Sequence, residues 1–423
     1  MKLRKCRIGD YIKDVASGPF GSNLKVECFV PSGFPIIDGA NLTGLKVSDN
    51  ITKFVTEEKA RTLSRSIAKR RDVIVTISGT LGQISYIPDN SKYAEYLCSQ
   101  RQFRVTFDES KICVEYLVNL LRTPYGQRKI LAFANYVGVP ALSQPIPNFK
   151  NIEVYLPDLP TQLRIAAILG SIDEKIELNR KKITELEALA KTIYDYWFIQ
   201  FDFPDKNGKP YKSSGGKMVW NERLKREIPE GWEVKSIGSI ETNIVTGKTP
   251  NTDDATNFGN DIPFLTIDDL RGHVYTFTSQ RSLSEKGAKL QSSKFIPPNS
   301  LCVSCIGTIG EISFSAKRSQ TNQQINSIVF DDDNYREYIY FNLKQYFRSA
   351  IVKTGNTFAN MNKGEFARIL CLVPSKQTLA CFHAIAQSIF EQLRNMEHQI
   401  MLQIEARELL LPLLMNGQVE VKA

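Results

Sequence analysis

The chain contains much of itself twice. Residues Pro35–Tyr86 align with Pro263–Phe314 at a constant offset of 228, without a gap. The sharpest block is Val73-Ile-Val-Thr-Ile-Ser-Gly-Thr-Leu-Gly-Gln-Ile-Ser-Tyr86 against Leu301-Cys-Val-Ser-Cys-Ile-Gly-Thr-Ile-Gly-Glu-Ile-Ser-Phe314. Within it Gly79, Thr80 and Gly82 recur as Gly307, Thr308 and Gly310, and Leu42, Gly44, Glu57 and Ala60 recur as Leu270, Gly272, Glu285 and Ala288. A tandem duplication demands one topology built twice, each copy closing its own core. Each block reads as an apolar β-branched strand, a Gly-Thr-x-Gly turn and a second short strand. A tight hairpin turn accounts for the glycines in full, since glycine tolerates φ > 0.

A long heptad follows each copy. In the first, Ile165, Leu169, Ile172, Ile176, Asn179, Ile183, Leu186, Ala190, Ile193 and Trp197 alternate in steps of four and three, which places one stripe along a helix. Asn179 is its one plainly polar member and sets register at a cost in stability. The second stripe runs Leu379, Phe382, Ala386, Ile389, Leu393, Met396, Ile400, Gln403, Arg407, Leu410 and Leu414. Its polar positions either lie in the seam or mark a shift towards Ile404 and Leu411. Pro157 and Pro160 precede the first helix and Pro374 the second, as suits helix starts. Residues 201–231 form a turn-rich connector.

The predicted order is a globule (1–156), a spacer helix (157–200), the connector (201–231), a second globule (232–374) and a second helix (375–417). The fold class is α+β: two similar α/β domains separated by two long helices that pair as an antiparallel coiled coil, giving an internal pseudo-twofold repeat. An intermolecular coiled coil would satisfy the same stripes.

With 42% hydrophobic residues and 23 Phe in 423, the chain can bury sizeable cores. No apolar run reaches the ~18 residues of a membrane span, and no apolar signal segment follows the basic start. Eight scattered cysteines read as reduced thiols of a cytosol. The net charge of +9 suits a polyanionic partner, DNA above all, and equally suits a basic protein with solvated charges. With a DNA partner, the Gly-Thr-x-Gly turn would serve equally as a DNA-facing loop.

Catalytic signatures fail one by one. Gly247-Lys-Thr249 lacks the phosphate-loop glycine, because position 242 is Thr. Cys302 and Cys305 have metal-ligand spacing, but their repeat partners are Ile74 and Ile77, and strand residues three apart point to opposite faces. Nothing in the sequence places a nucleophile or a carboxylate beside His383 or His398. There is no Asn-Pro-Pro-aromatic or Asp-Pro-Pro-Tyr tetrapeptide to hold a flipped base, and Gly18-Pro-Phe-Gly-Ser22 is too short for a cofactor loop. The expectation is no catalytic and no metal site.

Several stretches together resemble the specificity subunit of type I restriction-modification systems, over nearly the whole chain. They are the Gly-Thr-x-Gly block, Leu156-Pro-Asp-Leu-Pro-Thr-Gln162 and Leu186-Glu-Ala-Leu-Ala-Lys-Thr-Ile-Tyr-Asp-Tyr-Trp-Phe198. Ile228-Pro-Glu-Gly-Trp-Glu233 and Arg407-Glu-Leu-Leu-Leu-Pro-Leu-Leu-Met-Asn-Gly417 complete the set. Val373-Pro-Ser-Lys-Gln377 departs by being shorter than its first-half counterpart.

The resemblance implies two target-recognition domains, each reading half of a bipartite asymmetric site on double-stranded DNA. The helices would be spacers and docking surfaces for two methyltransferase subunits, joined by motor-nuclease restriction subunits. S-adenosylmethionine, ATP and Mg would belong to those partners and no cofactor to this chain, which would be cytoplasmic and off the membrane. Two other functions fit the residues: a stand-alone DNA-modifying enzyme, or a coiled-coil scaffold whose globules bind protein.

Base edges are read by Arg, Lys, Asn, Gln, Ser and Thr on loops, and phosphates by Arg and Lys. The candidates are Ser22, Lys25, Asn41, Thr80, Gln100 and Arg101 in the first globule. In the second they are Lys248, Thr249, Asp268, Thr308, Gln323 and Asn356. Arg61, Arg65 and Lys69 would form a basic face if their stretch is helical. The loops diverge most between copies, which predicts different half-sites.

Overall fold

A computed structural model describes residues 2–354 and 360–419. It divides into two compact units. One comprises the residues up to Asp173 together with those from Glu405 onward, and the other Glu174–Ile404.

In the first unit, strands Ile12–Ser17, Gln102–Phe107, Val73–Thr76 and Ile84–Tyr86 form an antiparallel sheet in that order. A second sheet orders Phe54–Val55, Phe34–Ile37, Glu95–Cys98 and Ile67–Lys69, its middle pair parallel. Arg4–Arg7 pairs with Glu153–Leu156 and ties the chain start to the residues just before the first long helix. Side chains alternate across a strand. Val73 and Val75 therefore pack with Phe103, Val105 and Leu117, while Ile74 meets Ile37, Leu42, Ala68 and Cys98 on the other face. Burial on both faces explains why Val73, Ile74 and Val75 are apolar without alternation.

The second unit repeats the plan. Ile244–Thr246, Ile325–Ile328, Leu301–Ser304 and Ile312–Ser315 follow in the same order, with Tyr275–Thr276 added in parallel at the end. Leu301 and Val303 face one cluster and Cys302 another, and Glu233–Ser236 pairs with Leu370–Val373. Gly79, Gly82, Gly307 and Gly310 all have φ between +80° and +89°, as the turn requires. A Cβ on Gly82 would also lie 2.2 Å from Gln127 Oε1, so a larger residue there would displace the Gln127 side chain.

The first long helix runs Leu159–Tyr194 and continues as a π-helical turn through Ile199; the second runs Lys376–Met415. Asp158 caps the first by accepting from Thr161 N, and Ser375 the second by accepting from Thr378 N. Pro160 thus falls inside the first turn, where its missing N–H costs nothing. Gln162 is buried, accepting from Cys113 N and donating to Pro157 O; its counterpart Gln377 is exposed. In the second unit, Asn179 is buried and donates to Gln399 Oε1 at 3.1 Å. In the first, Arg407 donates to both Asp173 oxygens and to Asn119 Oδ1. Gln403, Ile404, Arg407 and Leu411 are all half-buried, so the second stripe broadens rather than moves.

Two sequence readings need correction. Arg61, Arg65 and Lys69 share no helix: the helix is Glu57–Thr62, a 3-10 turn covers Ser64–Ser66, and Lys69 ends a strand. Arg61 and Lys69 pair with Glu95, so the supposed basic face is largely neutralised. A carboxylate does stand beside His383: the fully buried Glu337 lies 2.6 Å from Nδ1 and accepts from Arg336 Nε on its other oxygen. The third member of this chain is a cation, not a nucleophile. The turn-rich connector contains an antiparallel hairpin of Met218–Asn221 and Arg226–Pro229, and Phe201 and Phe203 lie in the second unit's core.

Candidate nucleic-acid interface

The candidate loops lie where the strands end. In the first globule, Gly18 N donates to Gln102 O at 2.7 Å, and a Cβ on Gly18 would lie 1.8 Å from Ser99 O. Glycine is therefore obligatory where this turn crosses the Ser99–Gln102 loop. Ile77 N donates to Arg101 O at 2.7 Å and lays the Gly-Thr-x-Gly turn alongside. Together they bound a cleft of about 490 Å³ lined by Thr80, Gln83, Gln100, Arg101, Lys53 and Asp38, with Val26 and Phe29 as apolar wall.

Charge within it is selectively free. Lys53 is held by Asp38 at 2.6 Å. Among the described residues, no carboxylate pairs with the exposed Lys25 and Arg101, nor with the exposed Lys248 in the second globule. An unpaired surface cation is what a phosphate or a guanine edge can take without first breaking an ion pair.

The second globule repeats the geometry. Gly247 N donates to Ile325 O, Asn322 N to Leu265 O as Ser99 N does to Ile37 O, and Cys305 N to Gln324 O. These bonds equate Gly18 with Gly247, Gln100 with Gln323 and Arg101 with Gln324. Thr249 Oγ1 donates to Gln323 Oε1 at 2.5 Å, and Gln291 Nε2 holds the Lys248 carbonyl at 2.8 Å.

Of the twelve candidates, Thr80, Gln100 and Arg101 share the first cleft, Lys25 is exposed, and Thr249 and Gln323 meet in the second globule. Thr308 is exposed at its turn. Asn41 is buried, its side chain accepting from Asp38 N and donating to Ser48 O and Asn50 O. Asp268 is tied to Arg271 at 2.9 Å. Asn356 and the side chain of Ser22 lie outside the described residues. Sequence reasoning missed Lys53, Gln83 and Gln324. Only the last left a signal, as the repeat partner of Arg101 beyond the gapless alignment.

Cys302 and Cys305 face opposite sides of their sheet, and burial pushes their thiols up to about 12 and about 11, far from the thiolate a metal needs. Among the described residues, no helix is long and apolar enough to cross a membrane.

Two copies of one α/β globule, each presenting polar loops and each followed by a long helix, define a duplicated recognition chain. A family model described as the type I restriction modification DNA specificity domain matches residues 27–188 and 229–406. The chain belongs to that family. It is 31% identical over 321 residues to the type I restriction enzyme HindI specificity subunit of Haemophilus influenzae, covering 64% of this chain and 70% of that one. It is 25% identical over 431 residues to the MjaIX specificity subunit of Methanocaldococcus jannaschii, covering 97% and 93%. The crystal structure of an S subunit from M. genitalium has the same fold, with a TM-score of 0.60 at 14% identity, covering 98% of this chain and 96% of that one.

Proposed function

We propose that this chain selects the DNA sequence for a type I restriction-modification assembly. Each globule reads one half of a bipartite, asymmetric site on double-stranded DNA. The observation that carries this reading is one loop geometry presented twice with different side chains: Arg101 faces its cleft where Gln324 stands in the other globule. Arginine matches guanine O6 and N7, glutamine matches adenine N6 and N7, and unlike readers select unlike half-sites. The long helices dock two methyltransferase subunits, and restriction subunits complete the complex in the cytoplasm. S-adenosylmethionine, ATP and Mg act on those partners, and this chain positions them without catalysing either reaction.

The test is reconstitution with a methyltransferase subunit, followed by sequencing of the methylated sites. One interrupted sequence with unlike halves is expected. Methyl transfer by the rigorously purified chain alone, or methylation indifferent to its presence, would overturn the proposal.

A further inference from the structure

Resting on that reading of the loops as DNA readers, we infer that Phe20 contacts the C5-methyl group of a thymine in the first half-site, beside Gln100, whereas Thr249 occupies its place in the second globule. The tip of the Gly18-Pro-Phe-Gly21 turn leaves Phe20 80% exposed. The turn is not loose. Gly18 is pressed onto Ser99, and a Cβ on Gly21 would lie 2.7 Å from Gln100 Oε1. Phe20 is therefore carried next to an exposed glutamine by one close backbone approach, Gly18 on Ser99, and by the contact of Gly21 with the Gln100 side chain. The cleft that Gln100 lines has an exposed apolar residue of its own, Val26, which is 79% exposed. Amide and apolar side chains together match an A·T pair seen from the major groove, which offers the adenine N6/N7 pair and the thymine methyl group side by side. The minor groove offers no methyl group.

The hydrogen bonds that equate Gly18 with Gly247 place Thr249 at the Phe20 position, and there the hydroxyl bonds Gln323. The first globule thus carries an apolar tip beside a free glutamine, and the second a polar tip that orients its glutamine. This is a difference in reading chemistry at one equivalent site.

The test uses the full chain assembled with its methyltransferase subunit and duplexes carrying the site found from methylated DNA. Each thymine of the first half-site is replaced in turn by deoxyuridine, which lacks only the methyl group. One such replacement is expected to weaken binding about fivefold or more. F20A is expected to weaken binding to the thymine duplex by a similar factor and to ignore that replacement. Neither change should alter selectivity at the second half-site, and an exposed position leaves the thermal midpoint of F20A unchanged. A first half-site without thymine, a wild-type complex indifferent to every replacement, or an F20A complex that still senses the methyl group would each overturn the inference. A wild-type complex that binds all sequences alike would instead overturn the proposed function beneath it.

Discussion

Glu241 is fully enclosed in the second globule, with Oε2 accepting the Asp331 amide at 2.9 Å and Oε1 without a hydrogen-bond partner among the described residues. Burial pushes its carboxyl up to about 7, with Asp331 and Asp332 adding repulsion. The folded protein then binds more protons than the unfolded chain between about pH 4.5 and 7, so this group lowers stability as pH rises through that window. Glu241→Gln should match the wild type at low pH and gain roughly 1–2 kcal/mol above pH 7. Urea unfolding at pH 5 and pH 8 measures this, and an equal midpoint at pH 8 would refute it. Residues of this kind were illegible in the sequence, because enclosure depends on partners far along the chain. The same holds among the candidate readers. Asn41 and Thr80 are both polar loop residues in the sequence, yet one is consumed by its own turn and the other is exposed.

Elements were more legible, because periodicity survives without tertiary knowledge. The heptad positions Ile165, Leu169, Ile176, Phe382, Leu393 and Ile400 are all buried. The same spacing rule failed for Arg61, Arg65 and Lys69, where three residues four apart spanned a helix, a 3-10 turn and a strand. Three positions cannot establish a period, whereas ten can. Asn179 tests what the long stripe is for. It sits between buried Ile176 and half-buried Ile183, and its amide meets Gln399, which is itself exposed. Asn179→Leu should stabilise the protein by about 1 kcal/mol, since a polar seam residue trades stability for register. A lower denaturation midpoint would show that the amide pair outweighs apolar packing.

For the whole molecule the duplication was the most informative feature, because it predicted two copies of one topology, and the four-stranded antiparallel sheet of the first unit recurs in the same strand order in the second. What it left open was where each copy can be cut. The strand Glu233–Ser236 pairs antiparallel with Leu370–Val373, and its register sets Glu233 opposite Val373. The two ends of the second globule therefore meet in one ladder, which travels intact if residues 232–373 are exchanged for those of a relative. The block's debts to the second long helix are few in kind. Val274 N and Tyr275 N donate to Glu397 at 2.8 Å each, bonds that any side chain short of proline preserves. Phe314 and Tyr340 pack on Phe390, and Tyr338 belongs to the same cluster as Phe382. A donor block carrying aromatic residues at those positions, and a carboxylate at 337 to meet His383, should therefore fold on this helix. In a complex with methyltransferase, the exchange is expected to replace one half of the methylated sequence with the donor's and to leave the other half unchanged. Sequencing the modified sites reads both halves at once, and a change in both, or in neither, would show that the globules do not read independently.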